Sequence, residues 1–145
     1  MKVRTIAYWV TTVLTAFVFL SGGVADVARP DAVIKGMADL GYPAYVATIL
    51  GVWKILGGFA VLAPRLPRLK EWAYAGMTFD LIGASASHAA VGDPAAKVAT
   101  PLIILGIVTA SWVLRPESRT LRDAAGTPIG LFPLKQPEAL FETTN

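Results

Sequence analysis

Four stretches of the chain, residues 6–25, 44–63, 72–90 and 98–114, are apolar over most of their length. Each approaches the roughly 20 residues that a helix needs to cross the hydrocarbon core of a bilayer, the last two with less to spare. A chain in lipid has to satisfy its own N–H and C=O groups, and a helix does so within a single segment. The pattern therefore predicts an all-α protein, a transmembrane four-helix bundle occupying residues 1–115. Composition agrees: 54% of residues are hydrophobic and 16% charged, with a mean hydropathy of +0.56. A soluble helical protein with buried core helices is the alternative, but it would need more charge to hydrate its surface. The glycines within the blocks are compatible with membrane helices, where small residues favour close packing.

Charge placement orients the blocks. With the N-terminus cytoplasmic, that side receives Lys2, Arg4, Arg65, Arg68, Lys70, Arg115, Arg119, Arg122 and Lys135. The opposite side receives Arg29, Lys35 and Lys97. This asymmetry follows the positive-inside rule with both termini cytoplasmic. Tyr8, Trp9, Tyr45, Trp72, Tyr74 and Trp112 lie near block ends, as interfacial anchors should. Block one also resembles a signal peptide, with "GVA" before Asp26 as a cleavage site, but its apolar region is long for one. Retaining it gives an even number of spans.

Between blocks one and two, Val33, Ile34, Met37 and Leu40 recur at helical spacing opposite Asp31, Lys35 and Asp39. Pro30 opens this segment and Gly41 with Pro43 closes it, so a short amphipathic helix is expected on the outer surface, with an ordered loop as the alternative. "PRLPRLK", residues 64–70, reads as a tight basic turn between blocks two and three. Residues 116–145 carry several Pro and Gly without periodicity and read as an extended or disordered cytoplasmic tail.

There is no cysteine and one histidine. This excludes disulfides, thiolate chemistry and cysteine-bound metals, and no metal motif is visible. The net charge of +3 does not indicate a nucleic-acid partner, because the basic residues flank apolar blocks as topology signals. No nucleophile–base pair is evident, so a stand-alone enzyme is not indicated.

The informative residues are the charges inside the blocks. Lys54 lies nine residues before the end of block two, roughly 13 Å at 1.5 Å per residue. Asp80 lies nine residues beyond Glu71, at the start of block three, so a hairpin about Pro67 places the two at one depth. Ala47, Gly51, Lys54 and Gly58 form one stripe at helical spacing, and Ala73, Gly76, Asp80, Gly83 and Ser87 form another. Small residues let helices approach, so Gly51, Gly58, Gly76 and Gly83 are expected at helix contacts. Ile49, Ile55, Phe59, Phe79 and Leu81 are then expected to face lipid. An unpaired charge at the bilayer centre costs about 2.5–3.5 kcal/mol on insertion scales. Lys54 and Asp80 are accordingly expected to pair. A buried pair adds little stability over apolar packing, which leaves both a functional and a structural role open.

Asp26 ends block one, and His88 lies about two turns beyond Asp80 with Ser85 and Ser87 nearby. Together with Lys54 and Asp80 they outline a candidate ligand site or proton path from the midplane to the outer surface. The plainer alternatives are a helix-end cap for Asp26 and an interfacial hydrogen bonder for His88.

"LGYP" before block two, "WKILGG" within it, the Pro/Arg turn, "KEWAYAGMTFDLIGASASH" and the following "GD" resemble the DoxX-like family of small bacterial membrane proteins. The similarity covers roughly residues 6–115. It implies a multi-pass four-helix protein of the bacterial cytoplasmic (inner) membrane. The family takes its name from a subunit associated with a thiosulfate:quinone oxidoreductase, and proteins of similar architecture serve as assembly chaperones. Better-known members carry a glutamate in span two where this chain has Lys54.

Three functions follow as expectations. In the first, a small subunit binds a quinone or another lipophilic ligand at the Lys54–Asp80 level for a membrane redox partner, with no covalently bound cofactor. In the second, Asp80, Lys54, His88 and Asp26 form a proton or small-solute pathway, for which four spans would need a homo-oligomer. In the third, the protein is a scaffold or assembly factor whose buried pair fixes helix register.

Overall fold

The computed structural model describes residues 2–116, 119 and 120. Among them the chain forms five helices and no strand: α1 (Lys2–Ala28), α2 (Asp31–Asp39), α3 (Ala44–Leu62), α4 (Pro67–Ala90) and α5 (Ala95–Val113). The tail expected to be extended lies outside the described residues, apart from Pro116, Arg119 and Thr120.

Length and composition qualify three helices as candidate membrane spans: α1, α3 and α5. α4 is long enough, its 24 residues reaching about 36 Å, but it is less apolar than the others. Its sequence carries Lys70, Glu71, Asp80 and His88 along with several hydroxyls. Three of the four expected spans thus qualify by length and composition, and α4, which covers the third, does not.

The four long helices close a ring. α1 lies against α3 and α5, and α4 lies against α5 and α3, with the α1–α3 contact the most extensive. Glycine explains that closeness. A Cβ on Gly51 would sit 2.7 Å from the Gly23 carbonyl oxygen, and one on Gly23 would sit 2.8 Å from that of Gly51. Gly58 gives the same room to Leu20. Gly51 and Gly58 therefore face α1 rather than α4.

The expectation fails for the second stripe. A Cβ on Gly76 or Gly83 would meet nothing within 4 Å. α4 instead buries Lys70, Tyr74, Met77, Leu81 and Ser85. Leu81 belongs to the core with Ala16, Phe19, Val61, Tyr74, Met77 and Val108, so it does not face lipid. Ile55 also turns inward, against Gly23. Ile49, Phe59 and Phe79 are exposed as expected. Large apolar side chains cover the outside, with Phe17 and Ile103 each 67% exposed. An apolar exterior of this kind matches lipid rather than water.

The hydroxyls fit the same solvent. Thr11, Ser21, Thr78, Ser87, Thr100 and Thr109 each donate to the carbonyl four residues back in their own helix. That arrangement satisfies the donor where water is absent. Pro101 lies inside α5 and removes one backbone donor. Close to it, Ser85 of α4 donates to the Val98 carbonyl at 2.8 Å.

Element ends follow local chemistry. Gly41 and Gly92, at φ +80 and +73, occupy the left-handed position after α2 and α4. Tyr42 N–H then donates to Met37 O and Asp93 N–H to His88 O, which closes the last turn of each helix. Pro67 stands in the first turn of α4, where its fixed φ suits a helix start. The connection expected at 64–70 therefore shrinks to residues 63–66. α2 forms as expected, with Val33, Met37 and Leu40 half-buried on the side that meets α3.

Candidate functional site

α1 does not stop at residue 25 but continues to Ala28, which puts Asp26 inside the helix rather than at a cap. The Gly23–Gly51 contact draws α1 and α3 together beside it, and the position of a Cβ on Gly51 is 2.8 Å from Asp26 Cβ. Lys54, one turn along α3, reaches back to this point. Its Nζ donates to Asp26 Oδ2 at 2.8 Å and lies 3.8 Å from Asp80 Oδ2. The expected pairing of Lys54 with Asp80 is thus present at ion-pair distance, while the hydrogen bond goes to Asp26. The reading of Asp26 as a helix-end cap is corrected. Lys54 is the eleventh of the 19 residues of α3, so this polar layer begins near mid-helix.

His88 does not join the layer. Its Nδ1 is 2.7 Å from Asp93 Oδ2, and Asp93 Oδ1 accepts from Lys97 Nζ at 2.8 Å. The hydrogen bonds from Lys97 and His88 hold the Asp93 carboxyl below its ordinary range. Tyr42 and Ser87 share a hydrogen bond of 2.8 Å beside this turn. His88 therefore organises the α4–α5 connection, about two turns from Asp80.

A cleft of about 860 Å³ separates α3 from α4. It exists because the facing positions are small: Gly57, Ala60, Ala73 and Gly76 line it and leave the space between the helices unfilled. Met77 bridges part of the gap, its Cε 3.2 Å from where a Cβ on Gly57 would stand. Trp53, Phe59, Trp72 and Phe79 line the cleft and are largely exposed on the outside of the protein. Lys54 and Asp80 are its charged lining residues. Their side chains keep 23% and 17% of their surface accessible, so both are reachable from the cleft. The stripe of Ala73, Gly76 and Asp80 thus lines an opening instead of sealing a helix contact. The volume lies within the range of small-molecule sites.

A second polar cluster at the opposite end of the helices escaped the sequence reading. Lys70 is fully buried, and its Nζ donates to the carbonyls of Ala60 and Val61 at the end of α3. Arg115 Nη2 donates to Glu71 Oε1 at 2.6 Å, and Trp112 Nε1 to Glu71 Oε2 at 2.9 Å. The Arg115 guanidinium also lies 5.1 Å from the Tyr74 ring centroid. Ser111 shares hydrogen bonds of 2.7 Å with Thr12 and with Tyr74. Arg119 covers Trp9 at 4.7 Å. Tyr8 and Tyr74 are buried, which corrects their expected role as interfacial anchors. The signal lay in "KEWAY" and "SWVLR", where charges and aromatics share helix faces.

Among the described residues no group of three or more potential ligands stands close enough to hold a metal ion. No curated protein and no solved structure matches the chain. The model of the DoxX-like family matches residues 10–111, from within α1 to within α5. With that match and three helices apolar enough to cross a bilayer, the chain is an integral membrane protein and belongs to the DoxX-like family.

Proposed function

We propose that this protein is a small membrane subunit that takes a quinone or another lipophilic ligand from the bilayer into the α3–α4 cleft and presents it to a membrane redox partner. The observation that carries this reading is the juxtaposition in one cleft of an apolar lining with Lys54 and Asp80. A ligand tail would lie among Trp53, Phe59, Trp72 and Phe79. Its carbonyl head would accept a hydrogen bond from Lys54, whose orientation Asp26 and Asp80 fix. In this reading α4 is the fourth span, its polar groups satisfied by its neighbours, and both termini are cytoplasmic in the bacterial inner membrane.

The test is thermal stabilisation of purified protein by added quinones. Stabilisation is expected in wild type and its loss in Gly76→Leu. Gly76 lines the cleft and has open space beyond it, so a larger side chain there fills the cleft without disturbing the fold. No shift in wild type, or an equal shift in Gly76→Leu, refutes the reading.

The Lys54–Asp26 hydrogen bond supports a second reading, in which the pair sets α1–α3 register in a scaffold or assembly factor. That reading expects a Lys54→Met, Asp26→Leu, Asp80→Leu variant to fold and to complement a deletion strain. The proton-pathway reading draws less support, because His88 is bonded to Asp93 away from the polar layer.

A further inference from the structure

The charges of the polar layer do not balance, and the surplus faces the cleft. Two carboxylates, Asp26 and Asp80, stand against the single ammonium of Lys54. Lys54 gives its hydrogen bond to Asp26, which does not line the cleft, and remains 3.8 Å from Asp80, which does. Among the described residues no second cation pairs with Asp26 or Asp80: Arg29, three residues beyond Asp26, and Lys35 of α2 are both exposed. α1 contributes Asp26, its basic residues Lys2 and Arg4 lying at the other end. α3 has Lys54 alone, and the basic residue of α5, Lys97, is bound to Asp93. On α4 itself Arg68, Lys70, Glu71 and His88 are each eight or more residues from Asp80.

The rest of the lining favours the same sign of guest. Trp53, Phe59, Trp72 and Phe79 present aromatic rings, whose faces attract cations, most strongly where water is excluded. A carboxylate in a medium of low dielectric attracts a positive charge far more than it would in water. A neutral head group draws on neither effect.

We propose that the α3–α4 cleft binds hydrophobic organic cations, amines or quaternary centres carrying apolar arms, with Asp80 as their counter-ion. The inference rests on the reading of the cleft as a ligand site and names the charge class it accepts. Cation and proton compete for one carboxylate: at a pH where Asp80 is protonated, entry of the guest sends that proton to solvent, and where Asp80 is already ionised the guest binds with no proton exchanged. Lys54 is shared between Asp26 and Asp80, so its one ammonium balances only one of the two carboxylates.

The experiment measures tetraphenylphosphonium binding to the purified full chain by calorimetry, from acid to mildly alkaline pH, with decylubiquinone as a neutral probe. Affinity for the cation is expected to rise about tenfold per pH unit until Asp80 is ionised and then to level off, with one proton released per cation bound on the rising limb and none on the plateau. Asp80→Asn is expected to lose at least about tenfold in cation affinity and all of its pH dependence. Asp80→Glu is expected to retain both, and Gly76→Leu to block both probes. Cation affinity that is flat with pH, or unchanged in Asp80→Asn, overturns the proposal. The pH profile and proton count are read on wild type, so they decide even if Asp80→Asn fails to fold. If decylubiquinone binds and the cation does not, this proposal falls and the cleft reading stands. If neither binds, both fall.

Discussion

Lys54 is held unequally by its two acids, and the inequality has a measurable consequence. A hydrogen bond to a charged group contributes roughly 1.5–3 kcal/mol. The 2.8 Å contact with Asp26 qualifies as one, whereas the 3.8 Å contact with Asp80 does not. Asp26→Asn is therefore expected to lower stability by about 1–3 kcal/mol, and Asp80→Asn by distinctly less. Unfolding titrations in mixed detergent micelles compare the two. Equal losses, or a larger loss for Asp80→Asn, would contradict this assignment of the bond. Lys54→Met is a poorer probe of function on its own. It leaves two carboxylates facing each other, and breaking a buried pair from one side commonly costs roughly 3–5 kcal/mol.

Among the elements, α3 and α4 use glycine in opposite ways. A Cβ on Gly51 would meet backbone at 2.7 Å, while one on Gly76, across the cleft on α4, would meet nothing within 4 Å. Gly51→Ala is expected to force α1 and α3 apart and to cost about 1–3 kcal/mol, as overpacking does. Gly76→Ala is expected to stay within about 0.5 kcal/mol of wild type. Thermal midpoints in detergent test the contrast, and a neutral Gly51→Ala would refute the close contact. The helices themselves were legible, because long apolar blocks and the Pro and Gly residues between them encode local structure. Which faces meet was less so. A small-residue stripe marks a surface that permits approach, but two such stripes on α3 and α4 do not have to meet each other. α3 used its stripe against α1, where Gly23 offered a complementary gap. α4 used Tyr74, Met77 and Leu81 for its core contacts and left its stripe to the cleft. Asp26 was misplaced for a related reason. A fall in hydropathy marks where burial changes, and α1 continued through it because Lys54 stood ready to accept the charge. Lys70 and Arg115 were hidden among residues that also serve as topology signals.

At the scale of the whole molecule, the proposed topology, four spans with both termini cytoplasmic, makes a prediction of its own. The chain has no cysteine, so single cysteines introduced at the surface report orientation without background. A cysteine in place of Arg65, in the α3–α4 connection, is expected to react with a membrane-impermeant thiol reagent only from the cytoplasmic side. One in place of Lys35, on α2, is expected to react only from outside. Labelling of both from one side would exclude the four-span arrangement.

α4 is the helix whose place in that arrangement is least its own doing. Its hydroxyls find partners on α5, Tyr74 with Ser111 and Ser85 with Val98, and Glu71 is engaged by Trp112 and Arg115. A ribosome that has delivered α4 but not yet α5 has made a segment whose polar groups lack those acceptors and donors. In the proposed four-span arrangement, commitment of the third long helix to the bilayer thus belongs to a later moment of biogenesis, when the last one arrives to receive it.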